Sequence, residues 1–537
     1  MPDVNRMRIE EVLERSARSF TNKAALAYDR QKWTYAFLDQ QAKWLAEVLL
    51  KAGMQPSDRL AIHLENSPGC VLSIFAILKL GGTFVVIHPN VKAQRLAFLL
   101  NHCRAAALVT SSKGLHSISR VLSGLPQLKK VFIQEGGSHT GFADANVASL
   151  QRLPEERSPA TRPWQSQSLD DDGPAAFIYT SGSTGHPKAA MLSHRNLAWA
   201  TESIVSYVGN RPEDVILSVL PLSHSYGLTQ LFTAFSAGAT LVLQNSFRNP
   251  HDVLEAMAQE RITGFALAPA MAASLLEADP RKYDLASLRY VTNAAAALPL
   301  AVVRKLRGEL PHTRLFCMYG QTECVRASYL APEQIDMRPT SVGKGLPGEE
   351  IYLVDEVGNR LGPGTVGELV VCGPNVMLGY WEMPAETANA LRPGIAPGER
   401  ALYTGDQFRM DEEGYFYFVR RRDDVIKSGG EKISPGAIEE VLHALDGVAE
   451  AAVVGVPDSI LGQAIKAVVR LKEGAQVTQR DLIRHCSRHL ETYMVPAIVE
   501  FRDALPKTAS GKVLKSELLQ QSRTERLEPE IPDREPR

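Results

Sequence analysis

The chain has 537 residues, of which 45% are hydrophobic, and its 59 basic residues are balanced by 60 acidic ones. This length exceeds what a single hydrophobic core supports, so we expect a globular protein of two or more domains. Because the net charge is close to zero, overall charge gives no reason to expect binding to nucleic acid or to an anionic membrane.

The N-terminus and the longest apolar region predict neither a targeting signal nor a membrane span. The opening stretch, MPDVNRMRIEEVLERS, is charged and lacks the apolar core of a secretory signal. The apolar region from Gly69 to His88 is broken by Lys79, Gly81 and Gly82, which favours a core helix followed by a strand. The six cysteines show neither close pairing nor metal-ligand spacing, which indicates free thiols and a cytoplasmic protein.

Helical and extended patterns alternate along the chain and predict an α/β layer architecture. Many of the extended segments end in a polar loop, which is how open α/β sheets build sites at the carboxyl ends of their strands. The predicted helices are residues 38–52 and 70–80, and the predicted strands are residues 60–64, 83–87, 105–110, 130–134, 215–220, 264–268, 288–292 and 314–318.

The stretch YTSGSTGHPK, from Tyr179 to Lys188, has the composition of a phosphate-binding loop. Its glycines allow close backbone approach, and its hydroxyls and lysine supply donors and charge. A buried strand is predicted before it at residues 175–179, and Ser193 is a candidate N-cap for a helix over residues 195–207. The spacing of Gly182, Gly185 and Lys188 does not match the mononucleotide P-loop, so a P-loop kinase or GTPase is disfavoured.

The second half of the chain changes character twice. Residues 350–371 are short extended runs broken by glycine and proline, which predicts a small β subdomain. The five consecutive charges at 420–424 then precede a final segment of its own helix and strand pattern, which indicates a domain boundary. The tail from about residue 522 is charged and proline-rich, so we expect it to be disordered. A polar, proline-containing connector is predicted at residues 154–173.

Six motifs occur in an order that resembles the adenylate-forming superfamily of acyl-CoA synthetases, adenylation domains and luciferases. They are YTSGSTGHPK, PLSHSYG, MYGQTE, YTGDQF, RRRDDVIKSGGEKISP and LPKTASGKVLK. Within that superfamily the chain looks closest to acyl-CoA or acyl-carrier-protein ligases. The resemblance implies an α/β adenylation domain of stacked layers at 1–422, with a small β subdomain, a mobile α+β C-terminal domain at 423–521 and a tail at 522–537.

An adenylating enzyme must bring a carboxylate to the α-phosphorus of ATP, so cations and hydroxyl donors are needed where negative charge gathers. Glu323, after a predicted strand, is a carboxylate suited to hold Mg²⁺ beside the triphosphate, with Thr184 as a second ligand. Asp406 has the character of a ribose-hydroxyl acceptor. The resemblance implies that Lys512 serves the first half-reaction, and that Lys512, His224, Thr184 and Glu323 are the catalytic residues.

The resemblance also implies roles for the remaining motif residues. Tyr319 would stack on adenine, Thr322 would contact the α-phosphate, Arg421 would bind ribose, and Asp423 would be the hinge of the C-terminal domain. The implied nucleotide-binding residues are Thr180, Ser181, Gly182, Ser183, Thr184, Gly185, Lys188, Tyr319, Gly320, Thr322, Asp406 and Arg421. The implied substrate pocket consists of His224, Ser225, Tyr226, Asn293, Ala294 and Ala295. The implied thioester-forming face adds Lys427, Gly429 and Gly430.

The residue after His224 bears on the choice of substrate. Amino-acid-activating relatives place an aspartate there for the substrate amine, and this chain has Ser225. Because an unpaired ammonium in a pocket is costly, an α-amino acid is disfavoured and an acid with an apolar body is preferred.

These motifs lead to the prediction of an ATP- and Mg²⁺-dependent, AMP-forming carboxylic acid ligase that passes the acyl group to coenzyme A. Three alternatives stay open at this point: loading of a phosphopantetheinyl carrier protein, luciferase-like oxidation of the adenylate, and an inactive nucleotide-binding scaffold. The presence of Lys512, Glu323, Asp406 and Thr184 argues against the scaffold, because loss of one decisive catalytic charge costs on the order of 3 kcal/mol.

Overall fold

The structure is a computed structural model that describes residues 7–91, 93–134, 147–149, 172–181, 187–295, 297–394, 400–421, 426–428, 431–433, 435–458, 461–490, 492–508, 511–515 and 517–519. Most of the predicted connector at 154–173, and all of the predicted tail at 522–537, lie outside these residues. The chain divides into two compact units, and the second is Pro299–Val303, Leu353–Leu369 and Gly405–Arg537. Its main segment therefore starts upstream of residue 423, and the boundary at 423 stays a prediction.

The elements follow one another as a mixed α/β chain. The helices are α1 (Glu11–Ser19), α2 (Tyr35–Lys51), α3 (Pro68–Leu80), α4 (Ala93–His102), α5 (Ser112–Ile118), α6 (His194–Val208), α7 (Ser225–Ser236), α8 (Pro250–Gln259), α9 (Pro269–Glu277), α10 (Leu300–Glu309), α11 (Pro384–Ala390), α12 (Pro435–His443) and α13 (Gln479–His489). The strands up to the phosphate stretch are β1 (Ala24–Tyr28), β2 (Gln31–Thr34), β3 (Arg59–His63), β4 (Thr83–Val86), β5 (Ala107–Thr110), β6 (Lys130–Ile133), β7 (Val147–Ser149), β8 (Pro174–Ser181) and β9 (Pro187–Ser193). The later strands are β10 (Val215–Ser218), β11 (Thr240–Leu243), β12 (Gly264–Leu267), β13 (Tyr290–Asn293), β14 (Arg314–Tyr319), β15 (Ser328–Leu330), β16 (Ser341–Gly345), β17 (Glu350–Val354), β18 (Val366–Cys372), β19 (Gly379–Tyr380), β20 (Leu391–Pro393), β21 (Arg400–Met410), β22 (Phe416–Arg421), β23 (Ile426–Ser428), β24 (Glu431–Ile433), β25 (Val448–Asp458), β26 (Gly462–Leu471) and β27 (Ile498–Phe501).

Two sheets organise the first unit. One sheet runs in the order β19-β9-β8-β4-β3-β5-β6-β7, and the other contains the run β16-β15-β14-β13-β12-β10-β11-β1-β2. In the second sheet β10, β11, β12, β13 and β14 pair in parallel, so their carboxyl ends meet at one edge. That edge is where open parallel sheets place their ligands.

Helix α3 forms much of the core of this unit. All of its residues from Gly69 to Leu80 are buried, and the Ser67 side chain caps its first turn. The ring of Phe75 stacks on Phe235 of α7 at a centroid distance of 5.5 Å, and Tyr35 of α2 meets Phe235 edge-on, also at 5.5 Å. The apolar region from Gly69 is thus a core helix followed by a strand, as predicted.

A single cation is buried on α3. The side chain of Lys79 is 0% exposed and forms ion pairs with Asp39 of α2, at 2.9 Å, and with Glu14 of α1. Burial alone would raise the pKa of Asp39, but the charge of Lys79 holds this pKa below its ordinary value. The three helices are therefore joined by a buried ionic contact as well as by apolar packing.

The second unit has its own sheet and core. Strands β25 and β26 pair antiparallel along ten residue pairs, and β27 pairs parallel to β26. Helices α12 and α13 cover this sheet through a cluster that includes Ile438, Leu442, Leu482 and Cys486. Lys466 of β26 and Glu500 of β27 form an ion pair at 2.5 Å.

All six cysteines are free and buried. Burial raises the pKa of Cys70, Cys103 and Cys317 to about 12. It raises the pKa of Cys486 to about 11. These thiols pack in the interior and stay protonated at neutral pH, which agrees with the free thiols predicted from their spacing.

Most predicted strands and helices agree with the structure to within about three residues. The helix expected at 195–207 is α6, His194–Val208, and Ser193 caps it as predicted. The strand formed by the residues from Pro187 to Ser193, β9, was not predicted. The phosphate stretch therefore joins two strands of a hairpin, and the helix begins only after the second.

Candidate active site

The phosphate stretch lies at the end of the β8–β9 hairpin. The two strands pair antiparallel, with Thr180 opposite Lys188. The Thr180 hydroxyl donates to the carbonyl oxygen of Lys188 at 3.5 Å, which joins the two strands next to the last described pair, Ser181 opposite Pro187. The predicted Gly182, Ser183, Thr184 and Gly185 lie outside the described residues, as does the side chain of Ser181.

The start of α6 fixes the outgoing strand of this hairpin. Ser193 and Asn196 form a capping box, in which the Ser193 hydroxyl accepts from the Asn196 backbone N–H and the Asn196 side chain accepts from the Ser193 backbone. The Asn196 amide also donates to the carbonyl oxygens of Pro374, at 2.6 Å, and Val376, at 2.9 Å. The helix start is therefore bonded to the segment that leads into β19.

Strand β19 brings the phosphate-loop lysine and Glu323 to one tyrosine. Tyr380 lies opposite Ala190 in β9, and its hydroxyl donates to Oε1 of Glu323 at 2.7 Å. The ammonium of Lys188 lies 5.3 Å from the centre of the same ring. One aromatic side chain thus contacts both the cation and the anion that the sequence assigned to the triphosphate and its metal.

Further hydrogen bonds hold the turn that carries Glu323. The N–H of Met377 donates to the carbonyl oxygen of Glu323 at 2.8 Å. The side chain of Asn375, which is fully buried, donates to the carbonyl oxygen of Arg326 at 2.6 Å. The turn is therefore fixed by backbone contacts before any ligand arrives, a form of preorganisation.

His224 occupies the N-cap position of α7, directly after the loop that follows β10. Asn66 holds that loop, because its amide donates to the carbonyl oxygen of Leu220 at 2.9 Å and accepts from the N–H of Leu222 at 3.0 Å. A Cβ at Gly227 would lie 2.1 Å from the carbonyl oxygen of Pro221, so only glycine lets α7 start this close to the loop.

The imidazole of His224 is neutral at physiological pH. Burial, followed by the neighbouring His88, lowers its pKa to about 4. The two rings are tilted with centroids 6.2 Å apart, and Nε2 of His224 is buried without a hydrogen-bond partner. The Nε2 atom of this neutral ring can therefore form a hydrogen bond with a bound ligand.

Tyr226 joins this helix start to the neighbouring strands. Its hydroxyl lies 2.9 Å from both the carbonyl oxygen and the hydroxyl of Thr292 at the end of β13. Burial raises the pKa of Tyr226 to about 12, so the phenol stays neutral. Asn293 and Ala294 are buried next to Thr292, whereas Ala295 is exposed with φ of 74°. Ser225 is half-buried between His224 and Tyr226.

Tyr319 and Gly320 end strand β14 beside this group. Asn293 of β13 pairs with Cys317 of β14, so Tyr319 lies two residues further along the neighbouring strand. A Cβ on Gly320 would lie 2.8 Å from the Cα of Arg326, which requires glycine at the start of the turn. Thr322 and Glu323 follow in the turn and are half-buried. The carboxyl edge of one sheet thus gathers the predicted adenine and acid residues.

The second unit carries the remaining predicted residues. Asp406 of β21 is 2% exposed and lies opposite Arg421 of β22, whose side chain is not described. Lys512 is exposed in a tight turn in which its N–H donates to the hydroxyl of Thr508 at 3.1 Å. Its carbonyl oxygen accepts from the Thr508 N–H at 2.7 Å, and Gly511 has φ of 82°. Asp423, Gly429 and Gly430 lie outside the described residues, as does the side chain of Lys427.

Four residues of the first unit support the site but were missed by the sequence reasoning: Asn66, Asn196, Asn375 and Tyr380. Their partners lie far along the chain, up to 180 residues away. The one sequence feature that marks this group is the aromatic pair, Tyr380 and Trp381, that follows Gly379.

In the described parts of the chain, no group of three or more His, Cys, Asp or Glu side chains can hold a metal ion. The predicted magnesium site, one carboxylate beside nucleotide phosphates, would not form such a group. None of the described helices has the length and apolarity needed to cross a bilayer.

Residues 13–381 match the family model of AMP-binding enzymes, and residues 437–512 match that of the AMP-binding enzyme C-terminal domain. The long-chain-fatty-acid–CoA ligase of Bacillus subtilis (strain 168) is 31% identical, over 96% of this chain and 94% of the relative. The feruloyl-CoA synthase of an Amycolatopsis species is 32% identical, over 94% of this chain and 97% of the relative.

Solved structures agree with this match. The anthranilate CoA ligase AuaEII in complex with anthranoyl-AMP has a TM-score of 0.86 at 26% identity, and the comparison covers 97% of this chain and 98% of that one. The o-succinylbenzoate CoA synthetase (MenE) of Bacillus subtilis, in complex with its acyl-adenylate intermediate, has a TM-score of 0.80 at 29% identity, covering 94% and 97% of the two chains.

The chain therefore belongs to the family of AMP-binding enzymes. Its activity is that of an AMP-forming ligase, which uses ATP to join a carboxylic acid to coenzyme A. The predicted superfamily, α/β architecture and acid–thiol ligase activity are confirmed.

Proposed function

We propose that this ligase activates a fatty or aryl carboxylic acid with an apolar body and no α-amino group, and that it does so with Mg²⁺ held by Glu323. The observation that carries the proposal is the contact of Tyr380 with both Lys188 and Glu323. This contact brings a cation and a carboxylate to the end of the hairpin whose loop has the composition for phosphate.

The nucleotide is bound by residues of the phosphate stretch and of the MYGQTE, YTGDQF and RRRDDVIKSGGEKISP motifs. Thr180, Lys188 and the loop of residues 181–185 hold the β- and γ-phosphates, and Thr322 contacts the α-phosphate. Tyr319, with Gly320, stacks on adenine, and Asp406 and Arg421 bind the ribose hydroxyls. The burial of Asp406 opposite Arg421 supports the last assignment, because a buried carboxylate is suited to accept two O–H bonds.

The metal site fits the residues present. Oε1 of Glu323 accepts from Tyr380, which orients the carboxylate and leaves Oε2 for a cation. Mg²⁺ bound there, with Thr184 as a second ligand, would neutralise charge on the triphosphate. Lys188, whose ammonium lies over the Tyr380 ring, would bind phosphate.

In the first half-reaction an oxygen of the substrate carboxylate attacks the α-phosphorus and pyrophosphate leaves. The neutral His224 donates one hydrogen bond to the carboxylate, and Lys512 supplies the positive charge that the pentavalent arrangement requires. In the second half-reaction the sulfur of coenzyme A attacks the acyl carbonyl carbon and AMP leaves. Asp423 is the hinge between the two steps, and Lys427, Gly429 and Gly430 serve the second.

The acid lies among His224, Ser225, Tyr226 and residues 293–295. Ser225 provides no carboxylate for an ammonium, which supports an acid without an α-amino group. The names of two relatives, a fatty-acid ligase and a feruloyl-CoA synthase, support fatty and aryl acids as the classes to test. The free cysteines support a reducing, cytoplasmic setting.

The test is ATP–pyrophosphate exchange over a panel of fatty, aryl and amino acids, followed by thioester assays with coenzyme A and with a phosphopantetheinyl carrier protein. We expect exchange with fatty or aryl acids, dependence on Mg²⁺ and transfer to coenzyme A. Exchange with amino acids alone would contradict the role of Ser225. Transfer only to the carrier protein, or oxygen consumption without a thiol, would replace coenzyme A by the corresponding alternative.

A further inference from the structure

A buried arginine lies against the predicted acid pocket and is not part of the motif roles. Arg326 is 2% exposed, and its Nε is buried without a hydrogen-bond partner. Its guanidinium lies over the ring of Tyr226, 5.3 Å from the ring centre. Among the described residues no carboxylate forms an ion pair with it.

The backbone holds Arg326 in this position. The preceding residue, Val325, has φ of 59°, a strained conformation for a β-branched side chain. Asn375 bonds the carbonyl oxygen of Arg326 at 2.6 Å, and Gly320 allows its Cα to approach β14 closely. The guanidinium is thus kept in the interior by the same turn that presents Glu323.

Burying a cation without a partner is unfavourable, and a cation–π contact offsets only part of its desolvation penalty. The buried carboxyl of Glu349, which lies in the same region, accepts from the N–H of Leu346 at 2.9 Å and from Asn375 at 2.7 Å. Burial also raises the pKa of Glu349 well above its ordinary value, which favours its neutral form. The protein itself therefore leaves the charge of Arg326 unbalanced.

Tyr226 connects this charge to the substrate. Its hydroxyl is fixed by Thr292, and it follows His224 by two residues at the start of α7. The face of its ring carries the guanidinium, so Tyr226 links the start of α7, where His224 lies, to Arg326.

We propose that Arg326 is a specificity-determining residue that binds a second oxygen acceptor on the body of the acid, with a second carboxylate as the first choice. This inference rests on the proposed function, because it assumes that Tyr226 lines the acid pocket. A planar guanidinium presents paired donors that match a carboxylate, and it also accommodates a neutral ester or carbonyl oxygen. An acid without such a group would leave the buried donors unsatisfied, and sites of this kind reject it strongly.

The experiment compares acids that differ only in the second group. One series is hexanoate, adipate and monomethyl adipate, and the other is benzoate, terephthalate and monomethyl terephthalate. Pyrophosphate exchange gives kcat/KM for each acid with the wild type, Arg326→Met and Arg326→Lys. The matched control is Arg314→Met, because the Arg314 guanidinium also lies over an aromatic ring, that of Phe316, at 5.6 Å.

We expect the wild type to prefer the dicarboxylate of at least one series over its apolar counterpart by about thirtyfold or more. Arg326→Met should reduce that preference at least about tenfold, Arg326→Lys should keep part of it, and Arg314→Met should keep all of it. Because the preference is a ratio within one preparation, partial misfolding of a variant does not change it.

Three results would decide against the inference or refine it. A wild-type preference for the apolar acid in both series, or an equal loss on all acids in Arg326→Met, would overturn it. A preference for the monomethyl ester over the dicarboxylate would assign a neutral oxygen as the acceptor that Arg326 binds. Absence of exchange with any fatty, aryl or amino acid would instead contradict the proposed function, so the two failures are distinguishable.

Discussion

The hydroxyl of Tyr380 donates a 2.7 Å hydrogen bond to Oε1 of Glu323, although the two residues are 57 positions apart in the chain. The bond orients the carboxylate to which we assign Mg²⁺. Tyr380→Phe removes the bond and keeps the ring over which Lys188 lies. Because hydrogen bonds to charged groups contribute about 1.5–3 kcal/mol, we expect pyrophosphate exchange to fall about tenfold to a hundredfold.

The same variant should need more metal. We expect the Mg²⁺ concentration for half-maximal exchange to rise in Tyr380→Phe, measured by titrating Mg²⁺ at saturating ATP and acid. Tyr28→Phe is the control, because its hydroxyl bonds Asn245 at 2.9 Å on an exposed surface of the same unit. An unchanged Mg²⁺ requirement would show that Tyr380 supports the turn without acting through Glu323.

His224 gives a pH dependence of stability. Its pKa is about 4 in the folded chain against 6.5 for an ordinary histidine, because the ring is buried and faces His88. Below pH 6.5 His224 binds a proton in the unfolded chain but stays neutral in the folded chain. The free energy of unfolding therefore decreases as the pH falls toward 4. Because of His224, the free energy of unfolding should be about 2 kcal/mol lower at about pH 5 than at pH 7.5.

Urea unfolding at the two pH values measures this difference. His224→Asn should reduce the difference by about 2 kcal/mol, and the remainder belongs to other groups, including His63 and His88, whose pKa values burial also lowers. The exposed His251 is the control, and His251→Asn should leave the difference as it is in the wild type. An equal pH effect in His224→Asn and the wild type would mean that His224 is not buried as a neutral ring.

Lys512 separates the two half-reactions. We expect Lys512→Ala to lower the rate of acyl-adenylate formation at least about a hundredfold, because the reacting phosphate loses the stabilising positive charge of the lysine. Thioester formation from supplied acyl-adenylate and coenzyme A should stay within a few-fold of the wild type. Lys515→Ala is the neighbouring control, since Lys515 is engaged with Glu439 at 2.9 Å. Equal loss of both half-reactions would contradict the assigned role.

The buried ion pairs of Lys79 should matter for stability. Lys79→Met leaves Asp39 and Glu14 without their buried cation, although Asp39 keeps Lys43 at 2.6 Å. Removing one partner of a buried pair costs about 3 kcal/mol, which urea unfolding at neutral pH measures. Asp39 contributes stability above its unfolded pKa and loses it as the pH falls, so the cost should shrink in acid.

A matched surface lysine provides the comparison for Lys79. Lys51, whose side chain is 80% exposed, lies 3.9 Å from Glu47 on helix α2. Exposed pairs of this kind contribute about 0.3–0.5 kcal/mol, so Lys51→Met should be almost neutral. If Lys79→Met lowers the free energy of unfolding no more than Lys51→Met does, solvent must compensate for the loss of the buried ion pairs.

The sequence was sufficient for the architecture, because buried parallel strands are apolar runs that end in polar loops. Segments such as residues 264–268 and 314–318 follow this rule and form β12 and β14. Strand β9 was missed, because its small residues Ala189 and Ala190 have low strand propensity. Its pairing with β8 and β19 decides its conformation.

Pairings between distant residues could not be predicted in the same way. The motif residues are recognisable one by one, but the bonds from Tyr380 to Glu323 and from Asn375 to Arg326 depend on how separate loops meet. Arg326 runs against expectation as well, since arginine is rarely buried without a partner. Sequence patterns give no means to detect a charge left unbalanced in the interior.

The six buried thiols have a practical consequence for following the reaction. A chromogenic disulfide reagent reacts only with solvent-accessible thiolates. None of the six cysteine residues is exposed in the folded protein, so they should not react. The consumption of free coenzyme A can therefore be titrated in the presence of enzyme with little background. The same reagent, added along a denaturation series, would report unfolding by the appearance of the protein's own sulfur.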